Sequence, residues 1–366
     1  MKIRKFFVGI QFEVNRSDLR KFRWTNHPES ELKDGQIKIF IDKFGFSSNN
    51  VTYANLGNSF GYWNFFPVDN VWGIIPTWGF GTVIESNHKE ISLGERFYGY
   101  YPTASHLVLE PGKVRPTGFS DTKEHRTKLP SAYNFYYNTT RDEFYTKESE
   151  DFQLIYRPLF TTSFLLESYL LENQFFTAKD VLITSASSKT AIALAYLLKL
   201  NREKNHFSFK IHALTSNRNL SLVQSLGYYD KVKCYEDLGS FDKSDICVVD
   251  FSGNEKIQSE IKLHFGSHHK HLCLVGMVHW EEQAQDQKES QGVLFFAPAE
   301  IKKKSKQWGL AGFQEKLVHS FGAYAKDSST WMKYKNLDFS SSFENVYLET
   351  LEGKFPAELG AILSNS

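Results

Sequence analysis

Two short stretches hold the residue types best suited to gripping a phosphate group. Residues 181–199 read VLITSASSKTAIALAYLLK: an apolar run, a turn of small hydroxyl residues, then an Ala/Leu helix pattern. A strand, turn and helix of this kind sets backbone N–H groups and a helix N-terminus beside a phosphate. The dinucleotide fingerprint uses glycines in that turn for tightness, close backbone approach and helix packing. Here Ser185, Ala186, Ser187 and Ser188 keep the turn small, and Ala191 can serve helix packing. The hydroxyls of Ser185, Ser187, Ser188 and Thr190 and the ammonium of Lys189 would add donors that glycine lacks. An ordinary βα corner fits the same residues. A P-loop does not, because Ile183, inside the strand, stands at its first glycine position.

The second stretch, ALTSNRN at 213–219, ends the next strand with Thr215, Ser216, Asn217 and Arg218 and no acid. A ribose carrying a free 2′-hydroxyl calls for Asp or Glu at this point. Hydroxyls with a guanidinium suit a 2′-phosphate instead. The pair of stretches therefore predicts NADPH rather than NADH, against the alternative of an arginine facing water at a helix start.

Such residues meet only if alternating strands and helices bring the strand ends together. From about 158 onward the chain reads that way. TTSFLLESYLLE reads as a helix capped by Thr161 or Thr162. VLITS, KIHALTS, DKVKCY, DICVVDFSG, HLCLVGMVHW and GVLFFAP read as strands, with helices such as NLSLVQSLG between them. That alternation predicts a parallel, doubly wound sheet. The part before Pro111 is strand-rich, with DGQIKIFIDKFGF alternating after an Asp-Gly turn signal. Residues 112–157 turn polar and read as an insertion with little regular structure. Their aromatic cluster, Tyr133 to Tyr137, reads as a lid or as a packing surface. The tail FENVYLETLEGKFPAELGAILS reads as helix, turn and closing strand.

Bulk properties exclude several classes. The formal charge is +1, from 43 basic and 42 acidic residues, so no basic field argues for nucleic acid or an anionic membrane. No run reaches the roughly 18 apolar residues of a membrane span. The opening MKIRKFFVGIQFEV has too short an apolar run for a signal peptide. The three cysteines, Cys234, Cys247 and Cys273, suit neither a disulfide framework nor a zinc knuckle, which favours a reducing, cytoplasmic setting. His268, His269 and His271 read as solvated loop histidines, and Lys302 to Lys304 as a solvated helix face.

In collinear order, ISLGERFYGY, VLITSASSKTAIALAYLLK, LTSNRNLSLVQSLGYYDKVKCYED and FENVYLETLEGKFPAELGAIL resemble the medium-chain dehydrogenase/reductase superfamily, on its zinc-free, quinone-oxidoreductase-like side. The resemblance covers most of the chain except 112–157. It implies an α/β fold of two domains: a GroES-like, partly open β-barrel over 1–157 and 300–366, and a Rossmann doubly wound parallel sheet over 158–299. It places Arg218 and Tyr235 at the 2′-phosphate, and Asp250 to Gly253, Gly276 to Val278, Phe295 and Phe296 near the nicotinamide. Asn50 stands where zinc-dependent members carry a cysteine, and Gly79 and Phe80 stand about where they carry His-Glu, so no metal is expected. Asn50, Thr52 and Tyr53 fall on the segment that faces the substrate. Without a Lewis acid, a conjugated carbonyl or a quinone is the easier hydride acceptor, needing only hydrogen-bond donors and a proton source. Tyr53 reads equally as a core aromatic. The implied partners are a small-molecule substrate and a second copy of the chain; the contrasting reading is a redox sensor that binds nucleotide without turnover.

Overall fold

The computed structural model describes residues 9–26, 31–275 and 292–365. The chain divides into two compact units, Met1–Ile155 with Lys333–Ser366, and Tyr156–Met332.

In the first unit, residues 34 and 35 make the expected turn, with Gly35 at φ +75°. The strand that follows, Ile37–Phe46, buries Ile37, Ile39 and Ile41 completely on one face. It pairs antiparallel with Pro76–Ser86 and with the C-terminal strand Leu359–Ser364. The tail therefore belongs to this unit, as expected. The helix Phe339–Leu351 buries Phe339, Phe343, Val346 and Tyr347, the i, i+4, i+7, i+8 stripe of an amphipathic helix. Its rings pack edge-on against Phe44 and Phe46, with centroids 5.2 and 4.9 Å apart. Much of the aromatic content is thus core filling.

The segment 112–157 is more ordered than its polarity predicts. Pro111–Arg115, Gly118–Asp121 and Phe135–Asn138 are strands of the same sheet, joined to it through Arg96–Pro102. Its polar groups bond to one another inside the fold. Arg126 is 1% exposed and donates to Asn134 at 2.7 Å and to the Tyr133 carbonyl at 3.0 Å. Tyr136 is fully buried, stacks on Phe119 and donates to the Tyr100 carbonyl at 2.7 Å. It is a core residue and cannot serve as a lid. The helix expected near Thr161 spans Glu150–Glu172 and contains Pro158. Thr161 and Thr162 cap nothing; their hydroxyls donate to the carbonyls of Arg157 and Pro158.

The second unit is built on a six-stranded sheet in the order Lys231–Cys234, Lys210–Thr215, Asp180–Ile183, Ile246–Asp250, His269–Leu274, Val293–Leu294. Every described pairing in it is parallel. Numbered along the chain this is 3-2-1-4-5-6, the doubly wound dinucleotide-binding order. Val181, Leu182, Ile183, Val248 and Val249 are fully buried, as strands covered on both faces must be. Helices Ala297–Trp308 and Leu310–Ser328 stay with this unit, although the sequence reading assigned 300 onward to the other domain. Apolar packing is the reason: Trp308 meets Phe164 at 6.2 Å, and Phe321 and Tyr324 meet Phe160 at 5.5 and 5.3 Å. Lys304 is not part of a solvated face. It is fully buried, paired with Glu172 and 4.7 Å from the Trp308 ring. His271 likewise lies on a strand, stacked 3.5 Å from Phe176, and burial pushes its imidazole down to about 4. Among the described residues no helix is long and apolar enough to cross a membrane.

Candidate nucleotide corner

In an open α/β sheet, ligands sit outside the carboxyl ends of the strands, where the strand order reverses. That point lies between Asp180–Ile183 and Ile246–Asp250. The turn leaving the first of these is the hydroxyl-rich stretch.

Ser185 holds φ +44°, the left-handed conformation that glycine adopts without cost. Its N–H donates to the Tyr235 hydroxyl at 2.8 Å, and the two hydroxyls lie 3.3 Å apart. Burial raises the Tyr235 phenol above its ordinary value although the Ser185 bonds pull the other way, so it stays neutral. The Ser187 hydroxyl accepts from Asn219 at 2.9 Å. Ser188 is the N-cap of the helix Lys189–Asn205 and accepts from the Ala191 N–H at 3.3 Å. Lys189 and Thr190 form the first helical turn, where N–H groups lack intrahelical partners. The Thr190 carbonyl accepts from Ser163 at 2.8 Å.

Ser216 and Arg218 are exposed after the second strand, at the short turn Asn217–Asn219. Asp250, 1% exposed, ends the fourth strand. Its carboxylate accepts from Ser252, Gly253 and Gln258 and from the Thr184 hydroxyl. Those bonds tie the two strands that flank the reversal. Phe296 is 40% exposed at the start of Ala297–Trp308, and Phe295 is buried. Gly276 and Val278 lie outside the described residues.

The structure thus brings Ser185 to Tyr235 and places Ser187 one hydrogen bond from Asn219. Sequence reasoning missed Asn219, Thr184 and Tyr229. Tyr229 donates to the Ala186 carbonyl at 3.0 Å and braces the turn from below. Asn219 sits inside the quoted ALTSNRN and could have been found by its place; Thr184 and Tyr229 carry no local signal.

Asn50, Thr52 and Tyr53 belong to the other unit, on the helix Ser48–Asn55. Asn50 is 4% exposed, accepts from the Ser47 N–H and donates to the Pro76 carbonyl, both at 2.9 Å. The Thr52 hydroxyl donates to the Ser48 carbonyl. Tyr53 is 6% exposed in an aromatic cluster with Tyr62, Phe65 and Tyr100 and accepts from the Trp78 indole at 3.4 Å. Burial, reinforced by Tyr133, drives its phenol well above the ordinary range. Among the described residues no group of three or more His, Cys, Asp or Glu side chains could hold a metal ion.

A sequence profile described as "Protein of unknown function (DUF2855)" matches residues 44–356. The chain belongs to this family. No curated protein matches it in sequence. Among solved structures it is similar to CurA from Vibrio vulnificus in complex with NADPH, at 10% identity over 98% of this chain and 99% of that one, with a TM-score of 0.61. It is similar to the quinone oxidoreductase from Coxiella burnetii, at 12% identity over 98% and 100%, with a TM-score of 0.52. The CurK enoyl reductase is similar at 12% identity over 98% and 100%, with a TM-score of 0.50. The chain shares the two-domain α/β fold of these solved structures, the fold that the resemblance implied.

Proposed function

We propose that the DUF2855 chain binds NADPH along the mouth of its parallel sheet and reduces a conjugated carbonyl compound or a quinone without a metal. The observation that carries the binding half is the backbone of Ser185. Its φ of +44° is a conformation that glycine adopts without cost, which supports reading this turn as one where the fingerprint's first glycine would stand. The residues fit the cofactor on two further counts. Ser216 and Arg218 are exposed at the second strand end, with no acid in Asn217–Asn219 to repel a 2′-phosphate. The small hydroxyl residues of the turn lie at the N-terminus of a 17-residue helix. CurA, with the same fold, was solved with NADPH.

NADPH, when bound, supplies the hydride. The chain's own part is to orient it and to offer a hydrogen bond to the developing oxyanion. Tyr53 is the proposed donor, held neutral by burial, with Asn50 and Thr52 fixing the helix that carries it. We take the working form to be a cytoplasmic homodimer.

A second reading, a nucleotide-binding redox sensor without turnover, is favoured by one observation: the side chains of Asn50 and Thr52 are spent on their own backbone surroundings. NADPH titration followed by a panel of enones and quinones separates the two. Oxidation of NADPH by any acceptor supports the reductase; binding without turnover supports the sensor. Failure to bind NADPH or NADH at micromolar levels, with Arg218→Ala changing nothing, removes both.

A further inference from the structure

We propose a second small-molecule site in the parallel-sheet unit, at the opposite end of the strands from Ser185, that takes an aromatic anion. A cavity of about 640 Å³ opens where Asp180–Ile183 and Lys210–Thr215 begin, lined by Phe175, Phe207, Phe209, Lys179, Lys210 and Asp180 among others. Its volume is that of a pocket for a small organic ligand.

Its wall is aromatic and continuous. Phe209 lies 4.4 Å from Phe175 and 6.2 Å from Phe207, ring centre to ring centre. Phe207 is 46% exposed, unusual for so large an apolar side chain with a buried ring beside it. The backbone that delivers Phe175 is strained. Gln174, Phe175, Phe176 and Thr177 all hold φ between +49° and +65°, and none is glycine or asparagine. Such a run persists only where its surroundings over-determine it, and strain of this kind clusters at ligand sites. Phe176, the next residue, is anchored by stacking on His271.

The charge at the cavity is positive. The Asp180 carboxylate is engaged by His212 at 3.4 Å, the Lys210 N–H at 3.3 Å and the Ser244 hydroxyl. Lys179 and Lys210 are both exposed, and neither has an ion-pair partner among the described residues. The nearby Asp242 is paired with Lys231. A flat ring on the phenylalanines, with a carboxylate or sulfonate reaching the two ammonium groups, satisfies both halves of the site. A cation would meet two lysines, and a neutral hydrocarbon would leave them idle.

The test uses the full chain and 8-anilino-1-naphthalenesulfonate, read by fluorescence. One saturable site is expected. Its affinity should fall at least tenfold in Phe207→Ala and in the double variant Lys179→Glu/Lys210→Glu, while NADPH binding is unchanged. All three side chains are exposed, so folding is preserved, and circular dichroism verifies it. Unchanged probe affinity in either variant overturns the site. Equal binding of the neutral analogue N-phenyl-1-naphthylamine overturns its anionic character. The proposal does not rest on the nucleotide reading, and NADPH titration of the same variants reports on that separately.

Discussion

The hydroxyl-rich turn after Ile183 and the helix Ser48–Asn55 carry similar side chains and use them in opposite ways. In the turn, the Ser185 hydroxyl lies 3.3 Å from that of Tyr235, the Ser187 hydroxyl accepts from Asn219 and the Ser188 hydroxyl accepts from the Ala191 N–H, at the open end of a sheet. Ser216 and Arg218 beside it face water. On the helix, Asn50 and Thr52 close backbone bonds, and Tyr53 is walled in by rings. A turn at the end of parallel strands leaves its polar side chains half-buried, where the proposed ligand would compete for their bonds. A helix laid on a β-sheet must bury one face, and its polar groups are then consumed locally. Binding is therefore the better supported half of the proposed function.

The strongest way to sharpen that contrast is pH, because each unit holds a displaced carboxylate. In the sheet-helix unit, burial pushes Glu167 up to about 7, although Asn201 and Lys304 oppose it. A raised acid destabilises the fold as pH rises from its unfolded value of 4.5 to 7, by about 3 kcal/mol at most. Glu167→Gln should flatten the unfolding free energy over that window; an unchanged slope would show that Glu167 does not titrate there. In the other unit, burial works against Glu150, but Arg96, Lys43 and Tyr145 bring it down to about 2. Its stabilisation is present above 4.5 and lost as pH falls toward 2, roughly 2 kcal/mol after solvent screening. Acid should thus unfold the first unit while favouring the second.

Asn50→Ala should cost about 2 kcal/mol, because it orphans the Ser47 N–H and the Pro76 carbonyl in a buried place. Tyr53→Phe breaks the comparison one way or the other. If Tyr53 donates to substrate, kcat falls at least tenfold while the melting temperature barely moves. Unaltered turnover makes it a core residue. Arg218→Ala should weaken NADPH about tenfold, near 1.4 kcal/mol, and leave NADH alone. Equal losses for both cofactors would remove the 2′-phosphate assignment. The smallest effect is expected at the turn: Ser185→Gly should stabilise by about 1 kcal/mol by relieving its positive φ, with NADPH affinity within threefold of the original.

The strand series from VLITS to GVLFFAP, the return of the tail and the strand end at ALTSNRN were legible in the residues alone, because buried parallel strands read as apolar runs and turn chemistry is local. The segment 112–157 was not, since its polarity hides a buried Arg126 whose partners lie on other elements. Neither was Lys304, for a run of lysines looks solvated until Glu172 and Trp308 are brought beside it. Local pattern picked out the strand, turn and helix proposed to hold a phosphate. Only the tertiary structure decided that Ser185 adopts a glycine's conformation with Tyr235 on its N–H, and that Asn50 is tied to the Pro76 carbonyl, because those contacts join residues far apart in the chain.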